Sequence, residues 1–366
     1  MRLVAARSRL CSLFAPRLRS AAIVRSMRML SRATVTGLVS ASCAIAVAGA
    51  ASAHSGALPR GGTVTATVTI PAGTGGIAVG EGAVWAMSYA ASTLSRIDPA
   101  TNAVAAQITL KPSNSCPPFP ASCGEAAAGD GAVWISLVPD NTVARIDPQT
   151  NTVTAVIPVG PQPQGIAVSP SAVWVANAGG PSVSRIDPAT NKVIATINVA
   201  PPSINDHMAV TIGGGAVWVT APNLGAIVRI DPATNRVTAT IHLSPRRIGQ
   251  PCGFITADQH AVWAAGAHCG AVVARIDPRT NKPSGRVLAV TTPIGVGLGF
   301  GSLWVADLDA KAIERVNPRT TRVIGRLPVV DEPVRLAIGF GSVWSRDDTG
   351  RVLRIKPQAA VTPTSS

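Results

Sequence analysis

Short apolar runs, each bounded by Gly, Pro, Asn or Ser, follow one another along most of this chain. Residues 165–199 show the unit in order as "GIAVS", "AVWVAN", "SVSRIDP" and "KVIATINV". Runs this short, rich in Val and Ile and closed by turn-forming residues, predict β-strands. Because no helical period interrupts them, the unit is predicted to contain four strands and no helix.

Every tryptophan of the chain occupies the same place in this unit, in the second apolar run. Successive tryptophans are 40 to 49 residues apart, a period typical of a β-propeller blade. The sequence therefore predicts an all-β, seven-bladed propeller with four-stranded blades, in which each indole is a wedge between blades. The seven are Trp85, Trp134, Trp174, Trp218, Trp263, Trp304 and Trp344.

The last unit stops after "VLRIKP" and lacks a fourth strand. Residues 62–70, "GTVTATVTI", resemble the fourth strands of other units, such as "NTVTAVIPV". We expect this N-terminal strand to complete the last blade, which closes the ring and removes an exposed sheet edge. The propeller is then one domain over 62–357, preceded by a short linker at 54–61 and followed by a disordered tail at 358–366.

The phrase "SRIDPATN" and its variants recur between the third and fourth runs of the units. In Asp-Pro-x-Thr-Asn, proline presets the first turn position, aspartate accepts from the backbone two residues on, and asparagine tolerates a left-handed conformation. Arginine and aspartate two apart on a strand share a face, so they pair with each other or with a neighbouring blade. A catalytic group is rarely needed in every blade, so the motif is interpreted as architecture.

Residues 1–53 have the layout of a secretory signal peptide. Eight arginines and no acid precede an uncharged stretch that ends in Ala51-Ser52-Ala53. Met27 or Met29 as the start would give a more ordinary leader length. The alternative, a membrane anchor, is disfavoured because small and hydroxyl residues dominate the stretch. We expect a protein outside the cytoplasm, secreted or in the cell envelope, with no membrane insertion after cleavage.

The net charge changes once this leader is set aside. The whole chain carries 32 basic and 18 acidic residues; removing the eight leader arginines leaves 24 against 18, a net charge of +6. The remaining arginines lie largely in the repeated turn motif, and no basic run is interleaved with aromatic residues. The composition therefore does not favour a nucleic-acid partner.

Four cysteines follow the leader, and an even number in an exported chain favours disulfides. The preferred pairing is local, between neighbours along the chain. A zinc site is the alternative, but the spacing does not suit one and only His268 lies beside a cysteine. The four are Cys116, Cys123, Cys252 and Cys269.

Two stretches resemble known repeat families. "VWVANAGGPSVSRIDPATNKVIATI" is similar to the YVTN repeat, with tryptophan where tyrosine is usual, and "PQGIAVSPSAVW" resembles the streptogramin lyase (virginiamycin B lyase) family of seven-bladed propellers. The resemblance covers about residues 62–357 and rests on repeat positions. It implies a site on the loop face of the ring, where Mg²⁺ held by two acids and a catalytic histidine open a cyclic depsipeptide by elimination at its ester.

Carried onto this chain, the lyase pattern matches only in part. Glu332 stands at the first acid and Asp348 at the second, so these two would hold Mg²⁺ through oxygen ligands. Val334 stands where the family has its catalytic histidine, and valine cannot abstract a proton. Arg335 beside it opposes a metal's charge unless it pairs with an acid.

Other residues on the same face are weak candidates for the missing catalytic group. They are His207, His268, Arg335 and Glu125, which replaces the repeat's usual glycine. Two proline-rich insertions, 111–125 and 242–254, also lie on this face, where rigid loops suit recognition of a partner.

The sequence thus predicts an exported, monomeric propeller that binds a small-molecule or protein ligand at its loop face. The alternative from another class is a Mg²⁺-dependent lyase acting on a cyclic depsipeptide, against which Val334 argues. A second alternative is an interaction scaffold in envelope protein assemblies. No cofactor other than Mg²⁺ is suggested.

Overall fold

The computed structural model describes residues 58–110, 124–201, 207–243, 252–266 and 270–358. The predicted signal peptide, the two insertions over most of their length, and residues 359–366 lie outside these ranges. In the described part of the chain, no helix is long and apolar enough to cross a membrane.

Seven four-stranded antiparallel sheets form a ring of blades, which confirms the predicted seven-bladed propeller. In blades 1 to 6 the four strands follow one another outward from the central channel. Blade 1 contains β2 (Ile77–Gly80), β3 (Ala83–Ser88), β4 (Thr93–Asp98) and β5 (Ala103–Thr109). Blade 2 contains β6 (Ala126–Gly129), β7 (Ala132–Leu137), β8 (Thr142–Asp147) and β9 (Thr152–Pro158). Blade 3 contains β10 (Pro163–Ser169), β11 (Ala172–Asn177), β12 (Ser182–Asp187) and β13 (Lys192–Asn198).

The next three blades repeat this order. Blade 4 contains β14 (Val210–Gly213), β15 (Ala216–Ala221), β16 (Ala226–Asp231) and β17 (Arg236–His242), with a short 3₁₀ turn, Pro222–Leu224, between its second and third strands. Blade 5 contains β18 (Ile255–Ala257), β19 (Val262–Ala265), β20 (Val273–Asp277) and β21 (Lys282–Val287). Blade 6 contains β22 (Pro293–Gly299), β23 (Ser302–Asp307), β24 (Ala312–Val316) and β25 (Val323–Pro328).

Blade 7 is assembled from both ends of the propeller. Its sheet order is β1-β28-β27-β26, with β26 (Arg335–Gly339), β27 (Ser342–Arg346), β28 (Arg351–Pro357) and the N-terminal β1 (Gly62–Thr69). β1 runs antiparallel to β28, with Gly62 opposite Pro357. The predicted ring closure by an N-terminal strand is confirmed.

The seven tryptophans pack between blades, as predicted. Each lies in the second strand of its blade, is fully buried, and shares an apolar cluster with residues of the next blade round the ring. Trp344 of blade 7 packs with Val84 and Ile97 of blade 1, so the clusters run all the way round. The core of this protein is therefore a ring of inter-blade layers rather than one central mass.

Each recurring arginine packs on the tryptophan of its own blade, and four of the seven also bond to the next blade within the described part of the chain. In each blade the guanidinium lies over the indole of the same blade, at 5.0 to 5.7 Å from the ring centre. Arg185 also donates from Nη1 to the backbone oxygen of Pro232 and to Asn235 Oδ1 in the next blade, at 2.7 and 2.8 Å. Arg354 makes the same pair of bonds from blade 7 to blade 1, to Pro99 and Asn102. Of the two predicted alternatives for the arginine, pairing with the neighbouring blade is observed at these positions.

The aspartates of the motif cap their own turns, as predicted. Asp187 Oδ1 accepts from the amide of Ala189 at 2.9 Å, and Thr190 donates to its other oxygen, which lowers the pKa of Asp187. The final turn residue has φ between 54° and 59° in six blades, and it is asparagine in five of them. In blade 6 the left-handed residue is Thr321.

These turns, with those joining first to second strands, define the turn face of the ring. The opposite face carries the loops that join second to third strands and each blade to the next. It is called the loop face below.

Candidate functional site

Each blade has one equivalent position at the loop-face end of the channel. In every blade the residue that follows the tryptophan pairs with a residue of the first strand. The equivalent position comes just before that first-strand residue. The residues at this position are Gly76, Glu125, Gly165, Ala209, Phe254, Gly295 and Arg335. They are called the mouth ring. Four of them are small and three are large, so the sevenfold repeat is broken here.

Two of the small residues are required by close approach of the neighbouring backbone. A Cβ at Gly76 would lie 2.3 Å from the amide nitrogen of Ala126, and one at Gly165 would lie 2.7 Å from that of Val210. Because the first strands converge on the channel at this height, most blades have no room for a side chain. The three large side chains therefore project into space that their small neighbours leave open.

Glu125 of blade 2 and Arg335 of blade 7 meet across blade 1, which lies between them. Arg335 Nε donates to Glu125 Oε1 at 2.6 Å, and the two side chains are 2% and 13% exposed for the arginine and the glutamate respectively. Arg335 beside the predicted metal position thus pairs with an acid. The ion pair spans Gly76 of blade 1, which has no side chain to separate the two partners.

The guanidinium of Arg335 also lies over an aromatic ring from the other side of the channel. Its central carbon is 4.6 Å from the ring centre of Phe254 in blade 5. His207, which precedes the first strand of blade 4, meets the edge of the same ring, with centroids 4.8 Å apart and an interplanar angle of 70°. Nη1 and Nη2 of Arg335 are buried without a hydrogen-bond partner among the described residues.

Burial shifts the proton affinities of both titratable neighbours. Desolvation raises the pKa of Glu125, and the nearby charges of Arg335 and Arg346 partly oppose the rise. Desolvation and the charge of Arg335 lower the pKa of His207 to about 3. His207 is buried, not a surface residue, and neither ring nitrogen makes a well-aligned hydrogen bond to a described residue. A neutral imidazole with this pKa is a poor acid–base group near pH 7.

Arg346 lies opposite Arg335 in the blade 7 sheet and fixes the backbone next to the mouth ring. It is fully buried, and its guanidinium donates to the backbone oxygens of Gly75, at 2.8 Å, and Gly73 in the connection from β1 to β2. Asp348 Oδ1 lies 3.5 Å from Arg346 Nη1 and acts as its counter-ion. Desolvation, with the charge of Arg335, lowers the pKa of Arg346 to about 10.

The described side chains do not fit the Mg²⁺ site implied by the lyase resemblance. Glu332 is exposed, Asp348 faces the guanidinium of Arg346, and no group of three or more His, Cys, Asp or Glu residues lies close together in the described ranges. Two buried guanidinium groups in this region oppose a divalent cation. The Glu332–Asp348 pair as a metal site stays a sequence prediction.

Val334, at the position of the family's catalytic histidine, belongs to the core. It is 3% exposed and packs with Ile294, Trp304 and Leu336 between blades 6 and 7. A histidine in this apolar layer would be desolvated, so the departure from the lyase pattern suits the packing of this chain.

Several predicted site residues lie outside the described residues. They are His268, Cys116, Cys123 and Cys269. Cys252 is disulfide-bonded, and the pairing of the four cysteines stays a prediction.

A cavity of about 310 Å³ occupies the channel below the mouth ring. Most residues that line it are aliphatic by type, but the larger share of its accessible surface is polar. Among the described residues, Glu125 and Arg335 are the charged groups in this lining. The aliphatic lining residues come from the first strands of all seven blades: Ile77, Ala126, Ile166, Val210, Ile255, Val296, Leu298, Leu336, Ala337 and Ile338. The arrangement is a pocket of mixed polar and apolar surface with an ion pair at its entrance.

Sequence reasoning selected Glu125, His207 and Arg335 but missed Phe254 and Arg346. A signal for both was present in the repeat. Phe254 occupies a register position that is glycine or alanine in four blades, and Arg346, two residues after Trp344, stands where most blades have a small residue. Comparing the blades position by position would have found them.

No protein-family model matches this sequence, and no curated protein sequence matches it as a relative. Among solved structures, a streptogramin B lyase is 20% identical and superposes with a TM-score of 0.66 over 80% of this chain and 96% of that chain. A catalytically inactive virginiamycin B lyase from Staphylococcus aureus with quinupristin is also 20% identical, with a TM-score of 0.65 over 80% and 98% of the two chains. Hydrazine synthase from Kuenenia stuttgartiensis is 15% identical, with a TM-score of 0.63 over 81% and 98%.

These identities show a shared fold and not a shared activity, and the neighbours themselves carry different chemistries. The predicted resemblance to the streptogramin lyase propellers is confirmed at the level of the structure. This chain is a seven-bladed β-propeller of the architecture found in those lyases.

Proposed function

We propose that this protein binds a small ligand in its central channel, entered from the loop face. The observation that carries the proposal is the broken repeat at the mouth ring, where Glu125, Phe254 and Arg335 replace small residues above the channel cavity. Concave pockets with a few convergent polar groups are the common form of small-molecule sites. The volume, about 310 Å³, lies at the lower end of the range for such sites, which favours a small ligand over a protein segment.

The contacts that hold the ring together do not account for the Glu125–Arg335 pair. The tryptophans pack between blades all round the ring, arginine bonds add to this in four blades of the described chain, and Phe254 packs against the same inter-blade layers. A buried ion pair contributes little net stability compared with apolar packing, so its presence at a channel entrance favours a role in recognition. The predicted leader and cysteines add to this proposal a place outside the cytoplasm.

Binding is tested with hexanamide, a neutral probe small enough for the cavity, by saturation-transfer NMR. Thr256, which lines the cavity, is changed to tryptophan to narrow it, and the exposed Val156 on β9 is changed to tryptophan as the matched control. We expect transfer in the parent protein and in Val156→Trp, and its loss in Thr256→Trp. Equal transfer in all three proteins would contradict a channel site.

The lyase function is a second candidate because the fold neighbours include a lyase structure with quinupristin. Val334 in the core and the two arginines near the mouth ring count against it. Quinupristin incubated with the protein, in Mg²⁺ or EDTA, is followed by chromatography and fragmentation, since elimination leaves the mass unchanged. A Mg²⁺-dependent opened product would establish this alternative. The envelope-scaffold alternative is tested by pull-down from an envelope extract.

A further inference from the structure

We propose that the channel ligand is a small carboxylate, whose anionic group binds the free edge of the Arg335 guanidinium and whose remaining part enters the cavity. This inference rests on the proposed function and adds the chemical class of the ligand. Four features of the site carry it.

The first is an unused hydrogen-bonding edge. Arg335 is 2% exposed and lines the cavity, yet only its Nε is bonded, to Glu125. Nη1 and Nη2 have no partner in the described ranges. Buried polar groups are rarely left in that state, and the two Nη groups form a planar fork that matches the two oxygens of a carboxylate.

The second is that the fork is held in place before a ligand arrives. Glu125 fixes one edge of the guanidinium at 2.6 Å, and the Phe254 ring supports its face at 4.6 Å. His207 supports Phe254 in turn, with its ring edge-on. A receptor group fixed in this way loses little conformational freedom on binding, which favours affinity for a small ligand.

The third is the size of the cavity. Below the mouth ring it holds about 310 Å³, and its wall combines aliphatic residues such as Ile166, Val210 and Leu336 with a larger share of polar surface. A carboxylate joined to a short carbon chain fits this volume and places its charge at the fork.

The fourth is the balance of charge. Among the described residues, the charged groups that act on Glu125 are Arg335, Arg346 and Asp348, and with Glu125 they sum to zero. A bound carboxylate adds one negative charge to this buried set. Protonation of Glu125 removes one negative charge and makes the set neutral again. Binding should therefore take up a proton at Glu125 and weaken as the pH rises. His207, with a pKa of about 3, stays neutral between pH 6 and pH 8.

The test compares hexanoate, hexanamide and hexylammonium, which share a hydrocarbon chain and differ in head group. Titration calorimetry at pH 6 and pH 8 is carried out on the parent protein and on Arg335→Met, Arg335→Lys and Glu125→Gln. The exposed Arg322, on the outer side of blade 6, is changed to methionine as the matched control for loss of one positive charge.

We expect hexanoate to bind more than about tenfold more tightly than hexanamide, since an ionic hydrogen-bonded pair is stronger than a neutral one. Arg335→Met should abolish that preference, Arg335→Lys should reduce it because the fork is lost, and Arg322→Met should leave it unchanged. Glu125→Gln should bind hexanoate more tightly at pH 8 and lose the pH dependence. Thermal unfolding of each variant shows whether it is folded, and the lysine and glutamine variants keep the test decisive if Arg335→Met does not fold.

The outcomes separate the two proposals. Equal affinity for hexanoate and hexanamide, both lost in Thr256→Trp, would overturn the carboxylate inference and leave the channel site standing. Preference for hexylammonium would overturn it and assign the site to Glu125. No binding of any probe would overturn the proposed function itself.

Discussion

The turn face and the loop face of this ring are built from the same repeat but treat it in opposite ways. On the turn face an arginine lies over an indole in all seven blades, and an aspartate caps its own turn in five of them. At the loop-face mouth ring the equivalent positions hold glycine, alanine, glutamate, phenylalanine and arginine. The first face is nearly uniform because each blade packs its tryptophan against the next blade. The second is free to differ because it faces the channel.

The difference teaches where to look for function in a repeat protein. A residue present in every unit serves what every unit shares, which is packing. A buried polar residue present in one unit alone has no such explanation. Glu125 and Arg335 come from different blades and meet only because the ring is closed, so their pair belongs to the whole ring and to no single repeat.

The largest expected effect comes from breaking the shared layer. Trp174→Ala removes a fully buried indole between blades 3 and 4 and should lower the free energy of unfolding by about 3–5 kcal/mol. Chemical denaturation followed by circular dichroism measures it. Phe254→Ala, which removes a half-buried aromatic ring at the mouth, is the comparison variant and should cost less. Equal losses would mean that the mouth ring is as structural as the inter-blade layer.

A smaller effect is the pH dependence of folding stability, which differs between the loop face and the turn face. His207 is neutral when folded, with a pKa of about 3, but in the unfolded chain it binds a proton below about pH 6.5. The unfolded state therefore takes up more protons as the pH falls, and the stability that His207 contributes is lost on acidification from that point. Glu314, buried in blade 6, has a pKa raised by desolvation to about 7. Its contribution to folding stability therefore falls as the pH rises from its unfolded pKa to about 7, which is opposite to that of His207.

The measurement is the difference between the parent protein and His207→Phe, because the Glu314 contribution cancels in it. Between pH 6.5 and 4.5 this difference should change by about 2–3 kcal/mol in favour of the variant. On the turn face, hydrogen bonds from Thr190 and Ala189 hold the pKa of Asp187 below its usual value. The stability that Asp187 contributes is therefore lost only at lower pH than that of His207. A pH-independent difference would contradict a buried, neutral His207.

Removing one inter-blade arginine should have a moderate effect. Arg185→Ala loses the bonds to Pro232 and Asn235 and the contact with Trp174. Hydrogen bonds from a charged donor predict a loss of about 1.5–3 kcal/mol in unfolding free energy. The exposed Arg322→Ala is the control, with an expected change near zero. No loss in Arg185→Ala would show that the shape of the blades, without the arginines, is enough to hold the ring.

The smallest expected effect is a gain on the turn face. Thr321 is a β-branched residue at φ 57°, where five other blades have asparagine. Thr321→Asn should raise the free energy of unfolding by about 1 kcal/mol, because asparagine tolerates the left-handed region better. The same change at Thr238, on the outer strand of blade 4, should give no gain. A loss at position 321 would show that blade 6 has adapted to threonine.

How far the sequence predicts this molecule follows from the same division. The blades, the tryptophan wedges and the closing strand were predictable because each rests on a local pattern repeated many times. The turn role of the Asp-Pro-x-Thr-Asn motif was predictable because it needs only neighbouring residues. The partner of the motif's arginine was left open between two choices, since a strand pattern gives the face of a residue and not the reach of its side chain.

The candidate site was only half predictable. Glu125 and Arg335 were each noticed as departures from a pattern, but their pairing joins residues 210 positions apart and depends on the curvature of the ring. Phe254 was missed because it is the last residue of the 242–254 insertion and resembles an ordinary core residue. The burial of His207 could not be read from a loop sequence, since it depends on Phe254 from the next blade.

The pairing of β1 with β28 brings the two ends of the propeller side by side, with Gly62 opposite Pro357. A peptide linker between these ends, with new termini opened at an Asp-Pro-x-Thr-Asn turn, would give a circular permutant with the same strands in the same sheets. Since those turns lie on the turn face, the permutant would keep the channel mouth intact. The order in which the blades occur along the chain is therefore separable from the site, and a permuted ring should bind the same ligand with the same affinity.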